Sequence, residues 1–281
     1  MRLSVEENYP QAGSLAGRTY RCEGTPEGTV LLLHALGSCG DDWIFQVPVL
    51  REKYDVLTLD LPGHGASPLP PGCRRVEDMA ACVAAYLRTA GTDMVHVIGL
   101  SLGGAVAIAL AQAYPRQVQS LLLVNAFARM HIHRNGRGRI FRRVFHLLRG
   151  DMQALAVTVA EGVFPAPEQQ LLMQAAAKRL ASNPRNWYFH LMNAIRLMDL
   201  RAGLRTIAVP CLVVSGESDT TVAESAKREL ADMIPTARWV SIPGSGHATP
   251  LDRPDVFNQH MLAFLQEVSV SSSSPHPPGD S

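Results

Sequence analysis

Apolar residues gather along this chain in short runs separated by longer stretches of mixed character. TVLLLHA at 29 to 35, YDVLTLD at 54 to 60, MVHVIGL at 94 to 100, SLLLVNA at 120 to 126 and VPCLVVSG at 209 to 216 stand out, with ARWVSIPG at 237 to 244 as a last run. Their apolar character is continuous rather than alternating, as in parallel strands that helices cover on both faces. Helical patterns lie between them. VEDMAACVAAYLRTAG ends on Gly91 as a stop signal, and VFNQHMLAFLQEV places Phe257, Met261, Phe264, Leu265 and Val268 on one face. Such alternation predicts an α/β fold with a doubly wound, mostly parallel sheet.

The rhythm changes between 128 and 200, where no strand run is visible and the candidates are all helical: IFRRVFHLLRG, MQALAVTVAEGVF, PEQQLLMQAAAKRLA and NWYFHLMNAIRLM. The expected organisation is therefore a core in two parts, 1–127 and 201–268, interrupted by a helical cap at 128–200. After Val268 the stretch SVSSSSPHPPGDS is too polar and too rich in Ser and Pro to pack, so 269–281 is expected to be a disordered tail. No internal repeat is visible.

Composition narrows the function classes. With 47 % hydrophobic residues, 18 % charged residues and a formal net charge of +1 over 281 residues, the chain reads as an ordinary globular protein large enough for a substantial core. That balance gives no reason to expect a nucleic-acid partner. The cysteines, Cys22, Cys39, Cys73, Cys82 and Cys211, are odd in number and lack CxxC spacing, which argues against a disulfide framework or a zinc site. No metal or other cofactor is called for. No stretch reaches about 18 uninterrupted apolar residues, and no apolar secretory core follows the N-terminal basic residue. The expectation is a cytoplasmic protein with reduced thiols and no membrane span.

The chemistry begins at VIGLSLGGAVAI, residues 97 to 108, where a strand run gives way to a small-residue helix. A serine at such a junction ordinarily caps the helix. Capping would explain Ser101 alone, but not Gly99 and Gly103 on either side of it in a GxSxG pattern. Those glycines fit a strained elbow that lifts the hydroxyl above the sheet edge. A serine hydroxyl needs a general base, usually a histidine oriented by a carboxylate, and in a doubly wound sheet such partners come from loops at the carboxyl ends of strands. His247, in the loop PGSGHATPLDRP after the last strand run, meets that requirement. His96 lies inside a strand run and reads as a packing residue; His131, His133, His146 and His190 fall in the insertion and His276 in the tail.

The stretch LVVSGESDTTV offers Glu217 and Asp219 as the acid. Asp219 is the better placed, because the loop can turn it back toward the histidine while Glu217 faces solvent; Asn125, at the preceding strand end, cannot serve as the acid. The resulting chain order is Ser101, Asp219, His247, that of an α/β-hydrolase triad. An oxyanion hole needs two fixed N–H donors. Leu102, just after the serine, is one candidate, and Leu36, in the glycine-bearing loop of LLLHALGSCGDDW, is the other.

Taken together, HALGSCGDDW, DLPGHGASP, GLSLGG, GESDTTV and GSGHATPLDRPDVFNQH resemble the α/β-hydrolase superfamily, and within it the small cap-bearing serine esterase and lactonase branch. The pattern is similar to that of pimeloyl-carrier-protein methyl ester esterases and 3-oxoadipate enol-lactonases. The resemblance spans about residues 25 to 127 and 201 to 268 and implies Ser101 as nucleophile, His247 as base, Asp219 as orienting acid and Leu36 with Leu102 as oxyanion donors. It implies a structural role for Asp60 and His64. Ala35 departs from the family's usual glycine after the histidine, and its methyl group is expected to tilt the Leu36 peptide or narrow the acyl pocket. The serine at 101 disfavours the aspartate-dependent dehalogenases and epoxide hydrolases, and the missing GGPG motif disfavours proline iminopeptidases.

One charge asymmetry is left over. Residues 128 to 150 hold seven arginines and no acidic residue. This segment reads as a solvated helix face, as a device steering an anionic or carrier-linked acyl substrate, or as a basic amphipathic helix at a membrane surface. Arg139, Arg142 and Arg143 are the candidate substrate-binding positions, with Phe127 beside them at the start of the insertion. The expected function is cleavage of a small-molecule carboxylic ester, thioester or lactone through an acyl-enzyme on Ser101. Carbon–carbon bond hydrolysis, cofactor-free perhydrolysis and a ligand-binding scaffold without turnover remain alternatives that these motifs do not separate.

Overall fold

The computed structural model describes residues 5–8, 15–130 and 137–273. In chain order its strands are β1 (Val5–Asn8), β2 (Gly17–Tyr20), β3 (Thr29–Leu33), β4 (Asp55–Leu59), β5 (Val95–Leu100), β6 (Val118–Val124), β7 (Cys211–Gly216) and β8 (Ala237–Ile242). They form one sheet in the order β1-β2-β4-β3-β5-β6-β7-β8. β1 and β2 pair antiparallel with each other, β2 pairs antiparallel with β4, and every pairing from β4 to β8 is parallel. The short, polar β1 and β2 add an edge that the sequence pattern does not announce. VEEN and GRTY are too brief and too charged to show a strand period.

The continuous apolar runs are explained by burial on both sides. Along β3, Leu31 and Leu33 join one core cluster while Val30 and Leu32 join the other, and β6 divides the same way, Leu121 and Leu123 against Leu122 and Val124. The first cluster is covered by α2 (Val76–Thr89), α3 (Leu102–Ala113) and α8 (Glu224–Met233), the second by α1 (Val47–Leu50) and α10 (Pro254–Ser273). This is the doubly wound arrangement expected. The last helix runs to Ser273, past the boundary that composition suggests at 268, and residues 274–281 lie outside the described residues.

Between β6 and β7 stand α4 (Arg137–Arg149), α5 (Met152–Val163), α6 (Gln170–Ala181) and α7 (Arg185–Leu197). Where the chain leaves and rejoins the core, Leu200 N donates to Ala128 O at 2.9 Å and Arg129 bridges Asp199. The helices sit over the carboxyl ends of the strands. Asn183 Nδ2 donates to Gly37 O at 3.3 Å, Arg179 pairs with Asp42, Leu180 lies on Gly37 and Leu191 on Gly63. A small cluster of its own, including Leu147, Leu155 and Tyr188, binds the insertion together, and Leu36 packs against both it and the main core.

Candidate active site

Ser101 stands alone between β5 and α3 with φ 55° and ψ −111°. An L-residue rarely adopts this conformation, and holding it costs on the order of 1–3 kcal/mol. Its side chain makes no capping hydrogen bond to the helix. The ordinary reason for a serine at a helix start is therefore missing. The turn is possible only because its neighbours lack side chains: a Cβ on Gly103 would come within 2.1 Å of Leu33 O, and one on Gly99 within 2.5 Å of Gly103 C. The elbow is tied to the next strand by Ser101 N, which donates to Val124 O at 2.9 Å.

His247 and Asp219 are brought together by the loops after β8 and β7. His247 Nδ1 and Asp219 Oδ2 are 3.0 Å apart. A carboxylate only accepts, so Nδ1 carries the proton and Nε2 is the basic nitrogen of the neutral ring. Asp219 Oδ1 accepts from Thr221 N at 2.7 Å and Val222 N at 3.2 Å, which fixes the carboxylate plane. Burial alone would raise the Asp219 pKa, but the charge and hydrogen bond of His247, the nearby Lys227 and the Thr221 N–H outweigh it and bring the group down to about 2. Glu217 is exposed and accepts from Gly244 N at 3.2 Å, away from the pair.

Two polar residues that sequence reasoning passes over hold these parts in place. Asn125, in the left-handed region at φ 45°, follows β6. Its Nδ2 donates to His247 O at 2.8 Å and Thr249 Oγ1 at 2.9 Å, and its Oδ1 accepts from Gly216 N at 2.8 Å. The strand residue next to it, Val124, is the one that anchors Ser101, so one short segment joins the serine elbow to the histidine loop. Lys227 on α8 is 1 % exposed, and burial pulls its ammonium below the ordinary lysine range while Asp219 pushes it back up. The histidine loop is braced from its far side by Asp252 on α9 (Thr249–Asp252), which accepts from Ser245 Oγ at 2.8 Å and Gly246 N at 2.6 Å.

The loop after β3 is equally fixed. His34 Nε2 accepts from Leu61 N at 2.9 Å, which leaves the proton on Nδ1 to donate to Ala35 O at 2.8 Å. Ser38 N also donates to that carbonyl, at 3.2 Å. With no cis peptide bond among the described residues, the Leu36 N–H points away from this anchored carbonyl. Ala35 does not have the positive φ that would demand glycine, and its methyl group packs into the second core cluster. Leu102, the first residue of α3, carries one of the N–H groups that a helix start leaves without an intrahelical acceptor. Asp60 accepts from Gly40 N at 2.8 Å and Ala66 N at 2.9 Å, and His64 Nδ1 lies 3.1 Å from Pro62 O, so both brace the adjoining loop.

Phe127 is 5 % exposed and belongs to the core cluster that reaches Leu191 and Ala194 of α7. Arg142 is exposed beside a shallow surface groove that it lines with His146, Asp151 and Thr158. Arg143 is half-buried, its charge near Tyr188. The Arg139 side chain lies outside the described residues, as do His131, His133 and His276. Among the described residues, no cluster of three or more His, Cys, Asp and Glu side chains is placed to hold a metal ion, and no helix is long and apolar enough to cross a membrane.

Three histidines are neutral by burial: the imidazole of His34 is held near 4, that of His64 near 3 and that of His96 near 4. In the unfolded chain each returns to about 6.5. Their folded values are depressed, so the stability tied to them is complete above about pH 6.5 and is lost as the pH falls toward 4 and 3. Melting followed from pH 7.5 to 4.5 should show a steep fall, on the order of 8 kcal/mol in all. A melting temperature that stays flat over that range would contradict this account.

A family profile described as the alpha/beta hydrolase fold matches residues 28–254. A protein of Caulobacter segnis named "Putative carbamate hydrolase RutD" is 30 % identical over 266 residues, covering 90 % of this chain and 98 % of that protein. The enol-lactonase of Burkholderia xenovorans LB400 superposes with a TM-score of 0.82 at 27 % identity, covering 92 % of this chain and 100 % of that one. A hydrolase from Pseudomonas aeruginosa PA01 superposes with a TM-score of 0.81 at 28 % identity, covering 93 % and 98 % respectively. With the profile spanning most of the sequence, the chain belongs to the α/β-hydrolase family.

Proposed function

We propose that this α/β-hydrolase is a serine hydrolase that cleaves a small carboxylic ester, thioester or lactone through an acyl-enzyme. The observation that carries the proposal is the strained, uncapped Ser101 joined through Val124 and Asn125 to a His247–Asp219 pair only 3.0 Å apart. Ser101 Oγ attacks the substrate carbonyl and passes its proton to His247 Nε2, while Asp219 steadies the imidazolium that forms. The tetrahedral oxyanion is received by the N–H groups of Leu36 and Leu102. Collapse of that intermediate breaks the bond to the leaving oxygen or sulfur, which takes the proton from His247. Water then attacks the acyl-enzyme with His247 as base, releasing the acid and free Ser101.

Ser101 and His247 are only 8 % and 6 % exposed beneath the helical insertion, which favours small substrates. A second reading, carbamate cleavage through a carbamoyl-enzyme, is favoured by the name of the relative with 30 % identity, and the same serine, base and oxyanion donors would serve it. For the basic segment, exposed Arg142 fits long-range steering of an anionic substrate rather than direct contact with the reacting atoms.

The test is a turnover panel of p-nitrophenyl esters, aryl lactones, thioesters and aryl carbamates with neutral and anionic acyl groups. Turnover of short acyl esters, lactones or thioesters is the expected result. Rapid turnover of carbamates alone would replace it with the second reading. No turnover of any class by folded protein would favour a binding scaffold. If Arg142 steers, Arg142→Gln should lower kcat/KM for the anionic member only, and wild type should lose the preference as salt rises and screens charges over about 8–10 Å. Equal losses for both members would exclude steering.

A further inference from the structure

Lys227 is out of place by the rules that bury residues. Lysine is almost never fully enclosed unless paired, yet this one is 1 % exposed in the floor of the site. Its Nζ reaches Asp219 Oδ2 at 3.2 Å, Gly216 O at 3.3 Å and Asn125 Oδ1 at 3.3 Å. An ammonium has three donors and no acceptor, and here each donor meets an oxygen. A neutral amine would bring a lone pair toward oxygen atoms that can only accept. The arrangement suits the charged form.

The oxygen that Lys227 engages is the one that holds His247. Asp219 Oδ2 lies 3.0 Å from His247 Nδ1 and 3.2 Å from Lys227 Nζ, so a single oxygen separates the imidazole from the lysine amine. We propose that Lys227 is a positioning residue that shares the Asp219 carboxylate with His247, offsets its negative charge and so keeps the imidazole unprotonated to lower pH. This rests on the reading of His247 as the base. An unopposed buried carboxylate would orient the ring equally well, but it would also stabilise the imidazolium and hold the base in its protonated form. With Lys227 in place, orientation is retained and that excess attraction is reduced.

The other groups facing this cluster do not cancel the effect. Glu224, one turn earlier on α8, is exposed and paired with Arg228 at 2.7 Å. Asp252 spends both oxygens on Ser245 and Gly246, and Glu217 points to solvent. Asn125 is neutral and contributes direction rather than charge.

Lys227→Met removes the charge at similar length, and Lys227→Gln keeps a donor without charge. In both variants the acid limb of the kcat/KM profile should move to higher pH by on the order of one unit, with a plateau changed far less. At a fixed pH on that limb the loss is about tenfold. The His247 imidazole followed by NMR without substrate should titrate upward by the same amount, a result that stands whether or not the protein proves to be an esterase. In wild type, labelled Lys227 should be an ammonium at pH 7, a reading that needs no variant to fold. A neutral Lys227 amine at that pH, or an imidazole that stays in place or moves down in a folded variant, would overturn the proposal and leave Lys227 a packing residue.

Discussion

Ser101→Ala should leave a folded protein that has lost nearly all turnover, roughly a million-fold in kcat if the residue acts as the nucleophile of a serine–histidine–acid unit. Folding is expected to survive because the hydroxyl makes no capping bond and the elbow is held by its backbone, by Val124 O and by the close approach of Gly103 to β3. Alanine at φ 55° is strained as serine is, so the melting temperature should change little. A loss of only a few-fold on the best ester of the panel would mean that the chemistry runs elsewhere.

Asp219→Asn carries the second largest expected effect, a fall in kcat of roughly 10,000-fold. The amide can present an N–H to His247 Nδ1, which would turn the ring toward the wrong tautomer and leave no lone pair on Nε2. In this chain the change also strips a buried lysine of its counter-charge, because Lys227 Nζ relies on the same carboxylate. A drop in stability should therefore accompany the drop in rate, on the order of 3–5 kcal/mol as for other broken buried pairs. Kinetics on the folded fraction, with unfolding followed in parallel, separates the two. If Asp219→Asn retained near wild-type kcat, the acid would have to be another residue, and Glu217 is poorly placed for it, exposed and turned to Gly244.

What the sequence discloses and what it hides follow from the same physics. The strands β3 to β7 are legible because burial on both faces forces continuous apolar runs, whereas β8, at the sheet edge with Arg238 and Ser241 exposed, shows only the shorter apolar group of Trp239, Val240 and Ile242; Gly91 marks the end of α2 because it sits there with φ 66°. β1 and β2 are hidden because each is only four residues long and polar, too short to show a strand period, and the last helix outruns its apolar face by several polar residues. Ser101, Asp219 and His247 are legible as residue types at strand ends. Asn125 and Lys227 are not, since a polar residue after a strand and a lysine on an amphipathic helix both look solvated. A signal for Lys227 does exist. It stands four residues after Ala223 and three before Leu230, on the apolar face of α8, where a charge has no reason to be unless something buried requires it. Ala35 is instructive in the other direction: glycine is not needed where φ is ordinary and the carbonyl is already held by His34.

Acylation of Ser101 is the central chemical event, and covalent labelling tests it most directly. Folded wild-type protein treated with a fluorophosphonate, digested and mapped by mass spectrometry should carry a single adduct on Ser101. Prior acylation by a turned-over ester should slow the labelling, and Ser101→Ala should abolish it. An adduct on any other residue, or none on folded protein that turns over the same ester, would contradict it.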